Sequence, residues 1–241
     1  MLKVHSYETF ATQDGPGIRL VIFLQGCNFK CKYCQNPDAI SSEWGTLYTK
    51  EEIFSLAEKE KEYFWEKGGV TFSWGNPLFQ AKELVDVLKY LKEKKIHTCL
   101  DTNGFYLTDE VKECIEYADF LLPDLKQIDS VKHQNLTGVP NEMPLEFIKY
   151  IDQKKKKYWI RYVVLPWYTD DEKDLEKVWI FLQGLSSFQR IDLLPYHNLG
   201  KSKREKLWRE YPLWDKKACT PQEIQRVKEI LSKYIAKDCI K

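Results

Sequence analysis

The sequence has no apolar stretch long enough to cross a bilayer, and residues 1–6 lack the basic-then-apolar layout of a signal peptide. It also lacks an excess of charge of either sign, because 37 basic residues face 36 acidic ones and the formal net charge is +1. Such a balance gives no electrostatic reason to expect nucleic acid or an anionic membrane as a partner. We therefore expect a cytoplasmic protein that binds neither.

Repeats, low-complexity segments and long linkers are missing as well. The 241 residues suffice for one sizeable domain, and the 43% of hydrophobic residues can build its core. We expect a single domain over residues 1–241. In it, residues 1–18 lead into the core, and a helix covers about residues 220–236.

Apolar, β-branched runs alternate with helical patterns along the chain. The six predicted strands are Arg19–Gln25, Val70–Ser73, His97–Asp101, Phe120–Leu122, Tyr158–Leu165 and Ile191–Leu194. The predicted helices start after the capping box at Thr49 and at Thr108, and cover residues 84–91, 144–153, 171–182 and 221–235. Strands separated by helices pair in parallel through right-handed crossovers. The pattern favours an α/β fold, either a doubly wound sheet or an open, partial barrel.

In both architectures ligands bind beyond the carboxyl ends of the parallel strands. The segments that follow predicted strands are Gly26–Cys34, Trp74–Pro77, Asp101–Gly104, Asp124–Lys126 and Pro195–His197, and the fifth strand carries Arg161. Thiols, carboxylates, a lysine, an arginine and a histidine on one rim are hard to explain as packing. They indicate an active site.

Three cysteines, Cys27, Cys31 and Cys34, lie within eight residues on a predicted loop. Thiolates select zinc or iron–sulfur clusters. A structural zinc site needs a fourth ligand, for which the best candidates, His5 and His197, are distant in sequence. On a [4Fe–4S] cluster, three cysteines leave one iron open for a substrate or cofactor. A disulfide is a weak alternative in a reducing compartment. The other four cysteines show no metal-ligand spacing, and we interpret them as incidental thiols.

This loop, with Tyr33 before its last cysteine, resembles the cluster motif of the radical S-adenosylmethionine (SAM) superfamily. Further blocks are similar to the pyruvate formate-lyase activating enzymes: His5–Glu8, Asp14–Arg19, Gln25–Cys27, His97–Phe105, Asp124–Gln127, His133–Leu136, Trp159–Val164 and Leu193–His197. The resemblance covers nearly the whole chain. It implies a partial (βα)6 TIM-like barrel of parallel strands, the radical SAM core.

The resemblance also implies an activity. A [4Fe–4S] cluster would cleave SAM reductively under anaerobic conditions, and the resulting 5′-deoxyadenosyl radical would abstract hydrogen from a glycine of pyruvate formate-lyase. The product is a glycyl radical on that partner. A flavodoxin or similar protein would donate the electron, and we expect the activating enzyme to be a monomer.

Residue roles follow from the same resemblance. Cys27, Cys31 and Cys34 would bind the cluster, and Lys126 would join them in catalysis. The expected SAM contacts are Tyr33, Cys34, Gln35, Asn36, Gly75, Asn76, Asp101, Asp124, Leu125, Lys126, Arg161 and His197. A monovalent cation, sodium or potassium, would bind at Asp101, Thr102 and Asp124, and the Asp14–Gly17 turn would dock the glycine loop of the partner.

Several of these residues have simpler interpretations. Asp101 and Thr102 could cap a helix that follows the third predicted strand. Lys126 could belong to a surface ion pair of little energetic weight. His197 could be a packed or hydrogen-bonded histidine. We favour the functional roles because all of these residues fall on one rim.

The sequence departs from the family at two loops. The loop after the second predicted strand reads Ser73-Trp74-Gly75-Asn76 where the family has Ser-Gly-Gly-Glu, and Pro166-Trp167 stands where Pro-Gly is common. Trp74 removes the conformational freedom of glycine, and Asn76 is a weaker acceptor than a carboxylate. We predict that SAM binding survives but weakens. The alternatives are an activating enzyme with a different partner, a radical SAM enzyme for a small molecule, a paralogue with impaired cofactor binding, and a cluster- or zinc-bearing scaffold.

Overall fold

The computed structural model describes residues 1–241 and contains eight strands and eight α-helices. The strands are β1 (Leu2–Ala11), β2 (Arg19–Leu24), β3 (Thr46–Tyr48), β4 (Gly69–Ser73), β5 (Thr98–Thr102), β6 (Phe120–Pro123), β7 (Tyr158–Val164) and β8 (Phe188–Pro195). The helices are α1 (Lys50–Phe64), α2 (Ala81–Glu93), α3 (Asp109–Tyr117), α4 (Ser130–Thr137), α5 (Glu142–Gln153), α6 (Glu172–Gln183), α7 (Gly200–Lys206) and α8 (Pro221–Ser232). None of the helices combines the length and the hydrophobicity needed to span a bilayer.

The chain divides into two compact units. The first comprises Met1–Asn28 and Ala39–Pro123, and the second comprises Phe29–Asp38 and Asp124–Lys241. The single domain expected over residues 1–241 stays a prediction.

Parallel pairing dominates the first unit. There β2 pairs with β4, β4 with β5 and β5 with β6, all in parallel. Every residue of β2, β4 and β6 is buried, as expected for parallel strands covered on both faces. The carboxyl ends of these strands therefore meet at one edge, which the rim argument requires.

The N-terminal strand β1 runs antiparallel to β2 on one side and to the three-residue β3 on the other. Its register shifts twice, between Val4 and Ser6 and between Glu8 and Ala11. These shifts interrupt the apolar–polar alternation that marks a strand in sequence. The sequence patterns consequently predicted neither β1 nor β3.

A fully buried arginine holds the Asp14–Gly17 turn that precedes β2. The guanidinium of Arg19 donates to Oγ1 of Thr71 (2.9 Å), to the carbonyl of Val70 (2.7 Å) and to that of Pro16 (3.2 Å). The Thr71 hydroxyl in turn donates to the carbonyl of Asp14 (2.7 Å). Desolvation lowers the pKa of Arg19, yet an arginine stays charged, so its hydrogen bonds must satisfy a buried cation.

The second unit contains the parallel pair β7–β8 and helices α4 to α8. Two of these helices were not predicted. Helix α4 has no amphipathic pattern, and α7 consists almost entirely of polar residues. Asp129 caps α4 through the N–H of Lys132, and Gly138 ends it in the left-handed conformation.

The six predicted strands are confirmed, although β8 begins three residues before its predicted start. The capping box at Thr49 and the helix start at Thr108 are also confirmed: Thr49 and Glu52 bond each other's backbone N–H groups, and Oγ1 of Thr108 accepts from Val111. Helix α8 ends at Ser232, short of the predicted boundary near residue 236.

Gly75 gives a stability prediction, because its backbone lies in the left-handed region (φ 52°) and a Cβ there would overlap the carbonyl oxygen of Gly26. We expect Gly75→Ala to lower the free energy of unfolding by about 3 kcal/mol or more, since the clash with the backbone of Gly26 adds to the conformational strain. Urea titration of cluster-free protein under reducing, anaerobic conditions measures this loss of unfolding free energy.

Gly138→Ala is the matched control. Its φ is also positive (88°), but the nearest atom to an added Cβ is the Cβ of Lys30 at 3.7 Å. Only the conformational strain remains, so we expect a loss of about 1 kcal/mol. Equal losses at the two positions would contradict the close packing described for Gly75.

Candidate active site

In the first unit, Cys27 follows β2 on a loop held by backbone hydrogen bonds. The N–H of Gly26 donates to the carbonyl of Ala39 (2.8 Å), and that of Cys27 to the carbonyl of Ile40 (3.0 Å). The side-chain amide of Asn103, which follows β5, donates to Sγ of Cys27 (3.7 Å). The register of β2, β4 and β5 thus brings an amide donor to a predicted cluster ligand.

Asn76 follows β4 and is fully buried. Its Oδ1 accepts hydrogen bonds from the backbone N–H of Leu78 (3.3 Å) and from the hydroxyl of Thr102 (2.7 Å). Its Nδ2 donates to Oδ1 of Asn103 (2.9 Å) and to Oδ1 of Asn28 (3.1 Å). In this structure the side chain is a hydrogen-bonding centre inside the protein, and its predicted contact with SAM stays a prediction.

The carboxylate of Asp101, which precedes Thr102 in the chain, has a different environment. Asp101 is partly exposed at the end of β5 and accepts a 2.6 Å hydrogen bond from the hydroxyl of Ser73 at the end of β4. The helix after β5 begins only at Asp109, with Thr108 as its cap. Asp101 and Thr102 therefore do not cap it, and the simpler interpretation of these two residues is wrong.

Trp74 adopts a left-handed backbone conformation (φ 53°) that a non-glycine residue rarely takes. Its ring stacks on that of Phe23, with centroids 3.8 Å apart, and meets the edge of the His5 ring at 5.6 Å. Packing against the buried cluster of Ala11, Val21 and Phe23 offsets the backbone strain. The tryptophan is thus accommodated at a position where glycine would be unstrained.

In the second unit, the segment with Cys31 and Cys34 is tied to the end of α4. The N–H of Lys30 donates to the carbonyl of Thr137 (2.8 Å), and that of Lys32 to the carbonyl of Leu136 (2.9 Å). The guanidinium of Arg204, from α7, donates to the carbonyl of Cys31 (2.9 Å). Burial raises the pKa of the Cys34 thiol, which makes metal coordination the natural way to stabilise its thiolate.

Lys126 and Asp124 form an ion pair in the second unit, with Nζ 2.9 Å from Oδ2 and side chains only 14% and 18% exposed. The ammonium also lies 5.7 Å from the centre of the Tyr33 ring. Burial works against the charge of Lys126, but the Asp124 carboxylate and its neighbours outweigh burial and raise the pKa of Lys126 well above its ordinary value. The pair is therefore mostly enclosed, unlike a surface ion pair, and Lys126 keeps its positive charge near pH 7.

Two further predicted contacts lie on β7 and just after β6. Asp124 and Arg161 form an isolated parallel bridge, and the N–H of Leu125 donates to the carbonyl of Arg161 (2.9 Å). Leu125 itself is buried (1% exposed). The backbone thus fixes where the Arg161 side chain leaves β7.

His197 follows β8, and its Nδ1 is buried without a hydrogen-bond partner in the protein. Burial also lowers the pKa of His197, so the ring stays neutral near pH 7.

Helix α7 contacts the segment around Cys34. Asn36 accepts a hydrogen bond from Nζ of Lys203 (2.6 Å), and Gly200 packs so closely that a Cβ would overlap the carbonyl oxygen of Cys34. Gln35 is partly exposed beside them.

The predicted site residues are thus distributed over both units. The first unit holds Cys27, Gly75, Asn76, Asp101 and Thr102, and the second holds Cys31, Tyr33, Cys34, Gln35, Asn36, Asp124, Leu125, Lys126, Arg161 and His197.

The sequence analysis gave no role to four residues that hydrogen-bond to predicted site residues: Asn28, Asn103, Lys203 and Arg204. Asn103 stands in the Asp101–Gly104 segment after β5, and that position on the rim was a usable signal. Nothing in the sequence singled out Lys203 and Arg204.

The chemistry of the donor set fits an iron–sulfur cluster and SAM. Three thiols on one loop are soft ligands of the kind that iron–sulfur clusters select. Buried polar atoms without a protein partner, Nδ2 of Asn28 and Nδ1 of His197, are available to a bound group. The left-handed Gly75 lets a ligand approach the backbone closely.

Comparison with known proteins gives consistent results. The family model described as the radical SAM superfamily matches residues 21–178. The chain is 40% identical over 235 residues to the pyruvate formate-lyase 1-activating enzyme of Escherichia coli (strain K12), covering 96% of each chain.

Solved structures agree with the sequence comparison. A domain of a pyruvate formate-lyase activating enzyme from Bacteroides vulgatus superposes with a TM-score of 0.58 at 31% identity, covering 69% of this chain and 94% of that one. A radical SAM methyltransferase from Sphaerobacter thermophilus gives a TM-score of 0.67 at 15% identity, covering 92% of this chain and 66% of that one.

The second likeness shows the fold alone, and it confirms the predicted α/β architecture of the radical SAM core, a partial barrel of mainly parallel strands. The family model covers more than half of the chain, and the bacterial relative aligns over nearly all of it. The chain therefore belongs to the radical SAM superfamily and, within it, to the pyruvate formate-lyase activating enzymes.

Proposed function

We propose that this protein activates pyruvate formate-lyase under anaerobic conditions by installing a radical on a glycine of that partner. The observation that carries the proposal is the three-cysteine loop in a chain 40% identical to an activating enzyme over 96% of its length. Bound to the protein, a [4Fe–4S] cluster and SAM supply an electron and a hydrogen-abstracting radical. The protein binds and orients these groups and excludes competing reactions.

In this proposal Cys27, Cys31 and Cys34 bind three irons and leave the fourth to SAM. Separate backbone hydrogen bonds in the two units hold the two ends of this loop. Backbone hydrogen bonds from Gly26 and Cys27 hold one end. Bonds from Lys30 and Lys32 to the end of α4 hold the other.

Charged groups of the second unit would bind the polar parts of SAM. Lys126 offers a permanent positive charge in a mostly enclosed setting, and Asp124 keeps it in place. Arg161 presents a planar fork suited to a carboxylate. Neutral His197, with Nδ1 free of protein partners, would hydrogen-bond the ribose or adenine end.

Several finer features of the proposal come from the resemblance. We propose a monovalent cation at Asp101, Thr102 and Asp124, whose oxygen atoms are ligands of the right type. The electron donor would be a flavodoxin or a similar protein, the enzyme would act as a monomer in the cytoplasm, and the Asp14–Gly17 turn would dock the glycine loop. Burial of Arg19 behind that turn supports a rigid docking surface.

The loop at Trp74 and Asn76 modifies this proposal without replacing it. Asn76 is fully buried and its Oδ1 already accepts two hydrogen bonds. It can therefore contribute little to an ammonium group of SAM. We propose that SAM binds more weakly here than it would beside a carboxylate at this position.

The deciding experiment mixes reconstituted enzyme, SAM, an anaerobic reductant and pyruvate formate-lyase. A glycyl-radical electron paramagnetic resonance (EPR) signal on the partner, with 5′-deoxyadenosine released in step, is the expected result. Release of 5′-deoxyadenosine without a radical on the partner would favour a small-molecule substrate. A loaded cluster that never releases 5′-deoxyadenosine would favour the impaired paralogue.

A cysteine series tests the cluster. We expect Cys27→Ala, Cys31→Ala and Cys34→Ala each to lose most of the iron after anaerobic reconstitution, because a cubane with two protein ligands is poorly held. Iron analysis and EPR with and without SAM provide the readout. Cys219→Ala and Cys239→Ala are the controls and should keep wild-type iron content. Full occupancy in Cys31→Ala would end the proposal.

Lys126→Met tests the charged part of the site. The substitution keeps much of the side-chain volume but removes the positive charge. We expect the Kd for SAM to rise about tenfold or more, because one hydrogen bond to a charged group is worth about 1.5–3 kcal/mol. Isothermal titration of cluster-loaded protein measures it. Lys112→Met, which breaks an exposed pair with Asp109 on α3, should leave the Kd unchanged. An unchanged Kd in both variants would remove Lys126 from the site.

A further inference from the structure

A line of buried hydrogen bonds in the first unit ends on the sulfur of Cys27. We infer that Asn103 tunes the reduction potential of the cluster through its N–H···S hydrogen bond to Cys27, and that Asn76 is the positioning residue that keeps Asn103 in this orientation. The inference deepens the proposed function and rests on it, since it requires a cluster bound at Cys27.

The orientation of the Asn103 amide is fixed by a donor that cannot act as an acceptor. The backbone N–H of Phe105 points at one terminal atom of Asn103 (3.2 Å), which must therefore be the oxygen. The other terminal atom is then the NH2 group. Its contacts are Sγ of Cys27 (3.7 Å) and Oδ1 of Asn28 (3.2 Å), so each of its two hydrogens has one acceptor.

Asn76 is fixed by the same logic. The backbone N–H of Leu78 identifies its oxygen, and the hydroxyl of Thr102 donates to that oxygen (2.7 Å) because an amide oxygen has no hydrogen to donate. The same hydroxyl accepts from the N–H of Gly104 (3.1 Å). The NH2 group of Asn76 therefore faces Oδ1 of Asn103 (2.9 Å). If Asn103 were flipped, two NH2 groups would face each other and the N–H of Phe105 would lose its acceptor.

The network is shielded from water, since Asn76, Thr102 and Asn103 are exposed by 0%, 2% and 5%. Bulk water therefore does not compete for these hydrogen bonds, and their strength in a low dielectric is greater than at the surface. Successive bonds from Thr102 to Asn76 to Asn103 also run in one direction and polarise each other toward the sulfur.

A hydrogen bond to a ligating sulfur changes the redox balance in a defined direction. Adding one electron makes the cluster and its thiolates more negative, and a donor N–H stabilises that extra charge. Hydrogen bonds to the sulfurs are among the factors that set cluster potentials. Asn103 should therefore raise the reduction potential and make the cluster easier to reduce.

The test is an anaerobic redox titration of reconstituted protein without SAM, with the reduced cluster followed by EPR. For Asn103→Leu, which removes the N–H at similar volume, we expect the ratio of reduced to oxidised cluster at a fixed potential to fall about tenfold, a shift of about 59 mV for a one-electron couple. For Asn76→Leu we expect a smaller fall in the same direction. The double variant should equal Asn103→Leu, because Asn76 acts through Asn103.

Asn141→Leu is the matched control for a structural effect. Asn141 is also buried (3% exposed), and its amide donates to the backbone carbonyls of Gln127 and Ile128. This variant should lose stability yet keep the wild-type potential. A similar potential shift in Asn141→Leu would show that general loosening moves the potential and would overturn the inference.

A second measurement serves if Asn103→Leu folds poorly. In wild-type protein with ¹⁵N in the asparagine side-chain amides, pulsed EPR of the reduced cluster should show a ¹⁵N coupling, and this coupling should disappear in Asn103→Asp, which keeps the shape of the side chain. A coupling that persists, or a wild-type potential in Asn103→Leu with full iron content, would overturn the inference. Failure of the wild-type protein to bind iron would instead refute the proposed function itself.

Discussion

The parallel register of β2, β4 and β5 is the constraint that positions the predicted site residues of the first unit. The strands pair residue for residue from Leu20 with Val70 and from Val70 with Thr98 onward, so their carboxyl ends terminate together. The segment after each strand contributes one residue to the hydrogen bonds around the sulfur: Cys27, Asn76 and Asn103. A shift of one strand by one residue would turn its side chains to the opposite face and would separate the amides from the sulfur.

The apolar strands that create this register are visible in the sequence, because they are buried on both faces and read as short runs of Val, Ile, Leu and Phe. The helix starts at Thr49 and Thr108 are also visible, since capping residues leave a local signature. The part of the rim that belongs to the first unit could be placed for the same reason, because it follows from where β2, β4 and β5 end. Local patterns were sufficient where burial or a cap coincided with a regular apolar pattern, whereas α4 is capped by Asp129 but lacks such a pattern and was not predicted.

Other features depend on contacts that no local pattern records. Helix α7 is polar on all sides, and it contributes to the site through the hydrogen bond from Arg204 to the carbonyl of Cys31. The orientation of Asn103 depends on an obligate donor two residues away and on Asn76, 27 residues earlier. The residue type at position 76 likewise gave no sign that this amide lies inside the protein and accepts and donates hydrogen bonds there.

The short strand β3 has a consequence for the behaviour of the protein in solution. A long, flat outer strand exposes backbone donors and acceptors along its length and invites pairing with another molecule. Here β1, the ten-residue strand, is covered on its outer side by only three residues of β3, whose first two side chains are exposed. Those three residues pair with Leu2–Val4 alone, and the two register shifts farther along β1 interrupt the regular geometry that edge-to-edge pairing with a second chain requires.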